Sequence, residues 1–200
     1  MKRLAAAALA GALLLAGCSA PRDDRAATPA PVPTPAAAPN PMVGGVPMPA
    51  DRTIAENAAT SPTLSTLAAA LRAAGLVGTL SSPGPFTVFA PTDEAFARLA
   101  PGMVDTLLKP ENKASLVKVV TYHVVPGTLT TAELTRRIAT GGGIATLTTV
   151  EGDVLTLDLT EGNITLTDVN GNASYVETGD VRQANGIVHV VNGVLVPRLG

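Results

Sequence analysis

The spacing of apolar positions changes along the chain, and each change marks a different kind of segment. From Leu4 to Ala16 apolar residues run unbroken, and from Ser19 to Ala50 they follow no period. Beyond that, a helical period begins. Ser61-Pro62 offers an N-cap followed by Pro at the first helical position, Leu64, Leu67 and Leu71 share one face, and Gly75 is a stop signal. Phe86 to Ala90 reads as a strand covered on both faces, stopped by Pro91-Thr92. Thr92 or Asp93 then caps a helix, with Asp93 and Glu94 in the first turn, where the helix dipole favours negative charge. Further helices are predicted over Glu111 to Thr121, with Leu116, Val117 and Val120 on one face, and over Thr131 to Ile138, closed by Gly141-Gly142-Gly143.

The back half has a strand period. Thr146 to Val150, Val154 to Leu159 and Ile164 to Thr167 are short and β-branched, separated by Glu151-Gly152-Asp153, Glu161-Gly162-Asn163 and Asn170-Gly171. Ile187 to Val191 and Val194 to Val196 are predicted to pair around Asn192-Gly193, a dipeptide suited to hairpin turns because both positions favour positive φ. Helices first and an antiparallel sheet later predict the α+β class.

Composition narrows the function. Of 200 residues 46% are hydrophobic, yet there are only three Phe, two Tyr and no Trp. A formal charge of −2 gives no basic footprint for a phosphate backbone, so no nucleic-acid partner is expected. One Cys excludes an internal disulfide, and with only His123 and His189 beside it no metal or cofactor site is expected. The first 50 residues hold four basic and two acidic side chains, which leaves 10 and 14 beyond them and a net −4 on the predicted folded part.

The N-terminal run explains the lone cysteine. Lys2 and Arg3 precede an apolar stretch shorter than the roughly 20 residues a spanning helix needs, as in an export signal. Leu15-Ala16-Gly17-Cys18 looks like a bacterial lipobox, which makes residues 1–17 the signal and Cys18 the lipid attachment point. Several acyl chains on one cysteine anchor firmly where a single chain does not. Ser19, next to it, resembles an outer-membrane sorting signal of diderm bacteria. Residues 18–50 hold nine of the 17 prolines and too little bulk to offset their ordering entropy, so a solvated tether is expected. Extended at about 3.1 Å per residue it would reach on the order of 100 Å. Residues 51–200 form the predicted domain.

Three blocks carry a family resemblance. Gly84-Pro85-Phe86-Thr87-Val88-Phe89-Ala90-Pro91-Thr92-Asp93-Glu94-Ala95-Phe96 is the first, and Tyr122-His123 with its flanking valines the second. The third runs from Asn185-Gly186 through Ile187-Val188-His189-Val190-Val191 to Pro197. In this order they resemble the fasciclin (FAS1) domain over about Thr53 to Pro197. The resemblance implies a compact wedge of two β-sheets with helices along one side. It also implies an extracellular or surface module associated with adhesion to cells or matrix, some members of the family binding carotenoid pigments. Asp93, Phe96, Tyr122, His123, Asn185, Gly186 and His189 are its motif residues here, and by resemblance Asp93 would hydrogen-bond the His123 ring.

A structural role for that pair is preferred to a catalytic one, because no Gly-x-Ser-x-Gly elbow supplies a nucleophile. The Tyr122-His123 segment is similar to one implicated in integrin binding in animal members, but Val119, Val120, Val124 and Val125 are more simply core, and there is no Arg-Gly-Asp. Asp168-Val169-Asn170-Gly171-Asn172 begins like a calcium loop but has Ala173 where Gly is needed and Gly179 where the bidentate Glu belongs, so a hairpin turn is expected. His189, between Val188 and Val190, is expected to face outward from a strand. The leading expectation is a non-enzymatic, lipid-anchored envelope module with an unknown protein or matrix partner. The alternative is a carrier for an apolar ligand such as a pigment or lipid.

Overall fold

A computed structural model describes residues 40–199. The signal, Cys18 and the proline-rich stretch up to residue 39 lie outside the described residues. The described residues begin about ten positions before the expected start of the domain. Met42–Val43 (β1) and Val46–Pro47 (β2) form a small hairpin around Gly44-Gly45, whose φ angles of 62° and 75° are those such a turn needs. Val43 and Met48 are buried, so the last residues of the predicted tether are part of the fold.

Helices fill the front half. Ile54–Thr60 (α1) opens with a capping box in which Thr53 and Glu56 satisfy each other's backbone N–H groups. A single 3₁₀ turn at Pro62–Leu64 leads into Ser65–Ala74 (α2), which ends at Gly75 in the left-handed region, the expected stop. Val77–Ser81 (α3) follows, then the strand Phe86–Pro91 (β3), Asp93–Ala97 (α4) and Met103–Leu107 (α5). Thr92 is the cap of α4, its hydroxyl accepting the Ala95 N–H. Lys113–Tyr122 (α6) runs into Val124–Pro126 (β4), and Thr131–Thr140 (α7) is capped by Thr130. The helices α1, α3 and α5 were not expected. The last two are only five residues each, too short to show a period.

The strands of the back half are Ile144–Thr148 (β5), Val154–Thr160 (β6), Asn163–Thr167 (β7), Ala173–Gln183 (β8) and Gly186–Val191 (β9). They join β3 and β4 in a seven-stranded sheet of order β4-β3-β9-β8-β7-β6-β5. Strand β8 serves both halves of this sheet. Its residues 173–175 pair with β7, while 176–183 pair with β9 across two register shifts. Sequence reading missed this strand, because two register shifts interrupt its alternation. The segment 194–196 is not a strand; its backbone bonds to side chains instead. The sheet is also mixed, since β3 and β9 pair in parallel from Phe86↔Gly186 to Pro91↔Val191.

That parallel pair divides two cores. Val88, Ala90, Val188 and Val190 face the helices, where they meet Leu64, Leu67, Leu71, Leu116 and Val120. Phe89 and Val191 face the other way, toward Tyr122, Leu134, Leu155, Leu157, Leu166 and Leu195. Strands covered on both faces read as continuous apolar runs, which is why β3 and β9 were legible.

Candidate functional site

The motif residues gather around the two ends of β3 and β9. His123 is the first residue after α6 and is 2% exposed. Its Nδ1 stands 2.7 Å from the Val119 carbonyl, which only accepts, so Nδ1 carries the proton. Nε2 is then an acceptor and takes the Leu195 N–H at 3.0 Å. Burial dominates the ring's electrostatics and pushes its pKa down to about 4, against the smaller upward pulls of the Val119 carbonyl and Asp168.

The expected bond between Asp93 and His123 is not made. Asp93 turns to the N-terminus of α2, accepting the Ser65 hydroxyl at 2.7 Å and the Thr66 N–H at 2.8 Å. A carboxylate at the start of α4 therefore caps a second helix and ties the two together. Partial burial works upward on its pKa, and the bonds from Ser65 and Thr66 outweigh it and hold the carboxyl below its usual range. Phe96, one turn on, is buried against Leu67, Leu116 and Val119.

His189 reverses a second expectation. It is fully buried, stacked on Phe89 with ring centroids 5.6 Å apart. The ring sits between two strands already covered on that face, so alternation with valines did not mean exposure. Nε2 donates to the Leu129 carbonyl at 2.7 Å, and Nδ1 accepts the Asp180 N–H at 3.3 Å. Burial lowers its pKa as well. Asp180 itself has φ 59°, a conformation Asp tolerates, and its carboxylate receives both the N–H and the hydroxyl of Thr131.

Tyr122 is fully buried. Its hydroxyl donates to the Val154 carbonyl at 2.9 Å and accepts the Val169 N–H at 3.3 Å, joining α6 to the loops of the β6–β8 half. Desolvation, with Asp168 nearby, pushes its pKa up to about 12. Asn185 works the same way: Oδ1 accepts the Ile54 N–H at 3.0 Å, and Nδ2 donates to the Leu80 carbonyl at 2.6 Å and the Ser82 carbonyl at 3.1 Å. Gly186 lies so close to β3 that a Cβ there would overlap the Phe86 carbonyl oxygen.

Two further polar side chains of this kind had not been singled out as such. The Thr87 hydroxyl donates to the Gly127 carbonyl and accepts the Leu129 N–H, holding the chain between β4 and α7. Asp168 accepts the N–H groups of Asn170, Asn172 and Val196, which makes its loop an Asx turn that also fixes the C-terminal segment. The Asp-x-Asn-Gly spacing was its signal. Among the described residues no group of three or more His, Cys, Asp or Glu side chains is placed to hold a metal ion.

Larger spaces lie on the surface. One cleft of about 550 Å³ is bordered by Pro83, Pro85, Thr128, Arg182 and Ile187, and another of about 410 Å³ by Thr63, Asp93, Glu94 and Glu177. The apolar cavities inside the helical core are far smaller, about 10 and 20 Å³. No helix among the described residues is long and apolar enough to cross a membrane.

Comparison with known proteins agrees with this arrangement. Protein sll1483 of a Synechocystis strain is 46% identical over 145 residues, covering 72% of this chain and 73% of its own length. Immunogenic protein MPB70 of Mycobacterium bovis is 35% identical over 149 residues, covering 72% and 68%. Transforming growth factor-beta-induced protein ig-h3 of Sus scrofa is 35% identical over 133 residues, 66% of this chain but 17% of that much longer protein. Among solved structures, a FAS1 domain pair from the insect cell adhesion molecule fasciclin I superposes with a TM-score of 0.65 at 19% identity. That match covers 76% of this chain and about half, 52%, of the solved one, and it speaks to the fold. The sequence model of the Fasciclin domain matches residues 62–197, and with the fold and the three motif blocks in place, the chain belongs to the fasciclin domain family.

Proposed function

We propose that the protein is a non-enzymatic, lipid-anchored module of the cell envelope that mediates adhesion to cells or matrix, or binding to a protein partner. One observation carries the reading. Both imidazoles, the most reactive groups in the motif blocks, have both nitrogens bonded to backbone and no open face. Side chains committed in this way hold a shape, and what such a domain offers to others is its surface. Relatives point the same way, since the solved fasciclin I domains come from a cell adhesion molecule. Anchoring at Cys18, with the proline-rich stretch as a spacer, suits a surface binder because reach decides what it can touch. In a diderm host the anchor belongs in the outer membrane.

The carrier alternative draws no support from the helical core. Ligand pockets for drug-sized molecules span about 300–1,000 Å³. The apolar cavities here hold about one water each.

Protease shaving of intact cells tests the proposal, with a periplasmic control protein and a Cys18→Ala variant alongside. The wild-type domain is expected to be cut while the control survives, and the variant is expected to leave the membrane fraction and to lose fatty-acid labelling. A domain protected until the envelope is broken would exclude contact with other cells, and a membrane-bound Cys18→Ala variant would remove the anchor from the proposal.

A further inference from the structure

The segment from Asn40 to Met48 is a strap that lies outside the residues matched by the family model. Its first residue imitates a strand with its side chain. Asn40 Oδ1 accepts the Arg182 N–H at 3.1 Å, while Nδ2 donates to the Arg182 carbonyl at 2.7 Å and to the Met48 carbonyl at 2.8 Å. Val43 and Met48 are each 3% exposed. Ser61 Oγ reaches the Val43 carbonyl at 3.4 Å, and Asn57 Nδ2 reaches the Pro49 carbonyl at 2.8 Å. The strands β1 and β2 pair only with each other, so among the described residues no backbone ladder joins the strap to the seven-stranded sheet.

Beneath the strap, Met48 closes a narrow apolar cavity lined by Ile54, Leu64, Leu80 and Val181. Asn57 Oδ1 is also buried at this cavity and has no hydrogen-bond partner among the described residues. The strap thus covers an imperfectly satisfied, apolar part of the core with two buried side chains and a few side-chain hydrogen bonds. The β3–β9 ladder behind it is continuous over six residue pairs, and β8 pairs with β9 between Val176 and Gln183 across two register shifts.

We propose that the strap is a load-releasable cover: tension applied through the N-terminal segment peels residues 40–48 away while the seven-stranded core stays folded. Tension from the N-terminal side reaches Asn40 before any other described residue, so among the described residues the strap bears load first. Its bonds open one after another from the pulled end, whereas the ladders of the core must shear together. Release frees the N–H and carbonyl of Arg182 on β8 and uncovers the apolar cavity. The physiological setting rests on the anchor proposed above; the mechanical property does not.

Single-molecule pulling of the mature chain tests it, with unlipidated protein attached through the Cys18 thiol and a C-terminal tag. The expected trace shows a small early event before the main rupture, with a length gain of about 3 nm, from roughly 3.4 Å per extended residue. In an Asn40→Ala, Met48→Ala variant the early event is expected to vanish with the main rupture unchanged. Should that variant fail to fold, Asn40→Ala alone, which removes no buried side chain, is expected to lower the force of the early event. A single cooperative rupture, or an early event that none of these substitutions alters, would overturn the proposal. Because no lipid is present, neither result bears on whether Cys18 is acylated or the domain adhesive.

Discussion

The Nε2 atom of His123 accepts the backbone N–H of Leu195 at 3.0 Å, so a ring at the end of a front-half helix holds the chain that follows the last strand. The bond exists only while the imidazole is neutral, because protonation turns the acceptor into a donor facing another donor. An unfolded chain protonates this histidine near pH 6.5, while the folded chain resists until about pH 4. Stability is therefore full above pH 6.5 and falls as the pH drops toward 4, by about 3 kcal/mol for this ring. His189, also shifted downward, adds to the fall in the same direction. Urea denaturation at pH 7.5, 6, 5 and 4.5 is expected to show it, and a His123→Gln variant should flatten the slope. An unchanged midpoint between pH 7.5 and 4.5 would contradict a His123 ring held neutral by its burial.

Tyr122→Phe removes one hydroxyl and leaves the Val154 carbonyl and Val169 N–H without their partner. A loss of about 1–3 kcal/mol is expected in chemical denaturation, because both groups lie at a part-buried site. The wild-type phenol, raised to about 12, should stay neutral well beyond the pH at which free tyrosine ionises. An ultraviolet titration of the folded protein is the check on this ring.

Asn185 and Gly186 support neighbouring parts of the same junction by different means. Asn185→Ala deletes three hydrogen bonds that link α1, α3 and the β8–β9 turn, and a loss of about 3 kcal/mol or more is expected. Gly186→Ala deletes nothing and instead forces β3 and β9 apart at their first pair. Both variants are expected to give less soluble protein, and hydrogen exchange should separate them: the first loosens α1, the second the start of β3.

Asp93→Ala is expected to lower stability by about 1 kcal/mol, the usual scale for a lost cap. Asp93→Asn keeps an oxygen to accept from Thr66 and should lose less. Since the carboxyl sits below its usual range, its contribution is present at neutral pH and disappears as the pH falls through that depressed value. Thermal melts at pH 7 and at pH 3 are the measurement. A larger loss for the Asn variant than for the Ala variant would contradict the capping role.

What could be read beforehand was whatever rests on local repetition. The run of Phe86 to Pro91 is apolar on both faces and was recognisable as an inner strand, and Leu64, Leu67 and Leu71 with Gly75 marked a helix and its end. Strand β8 was hidden because its two bulges break the period of two on which such readings depend. The family motif identified which side chains matter, but not what they touch. That Asp93 serves Ser65 rather than His123 depends on how α2 and α4 pack, which no spacing in the sequence records. His189 was misjudged for the same reason, since alternation tells only that its face differs from that of its neighbours.

The parallel pairing of β3 with β9 joins residues about one hundred positions apart, with everything between them threaded around the pair. The parallel pair at the centre of the sheet therefore cannot form until residues 186–191 have been made. A ribosome-bound chain that has not yet released Gly186 offers Phe86 to Val88 the short strand β4 on one edge but nothing on the other, and has no Leu195 for His123 to hold. Until residues 186–195 have emerged, the centre of the sheet and the His123 contact stay unmade. The same order of events leaves one edge of β3 open while about one hundred residues are made, so it is the edge most exposed to a wrong partner in the meantime.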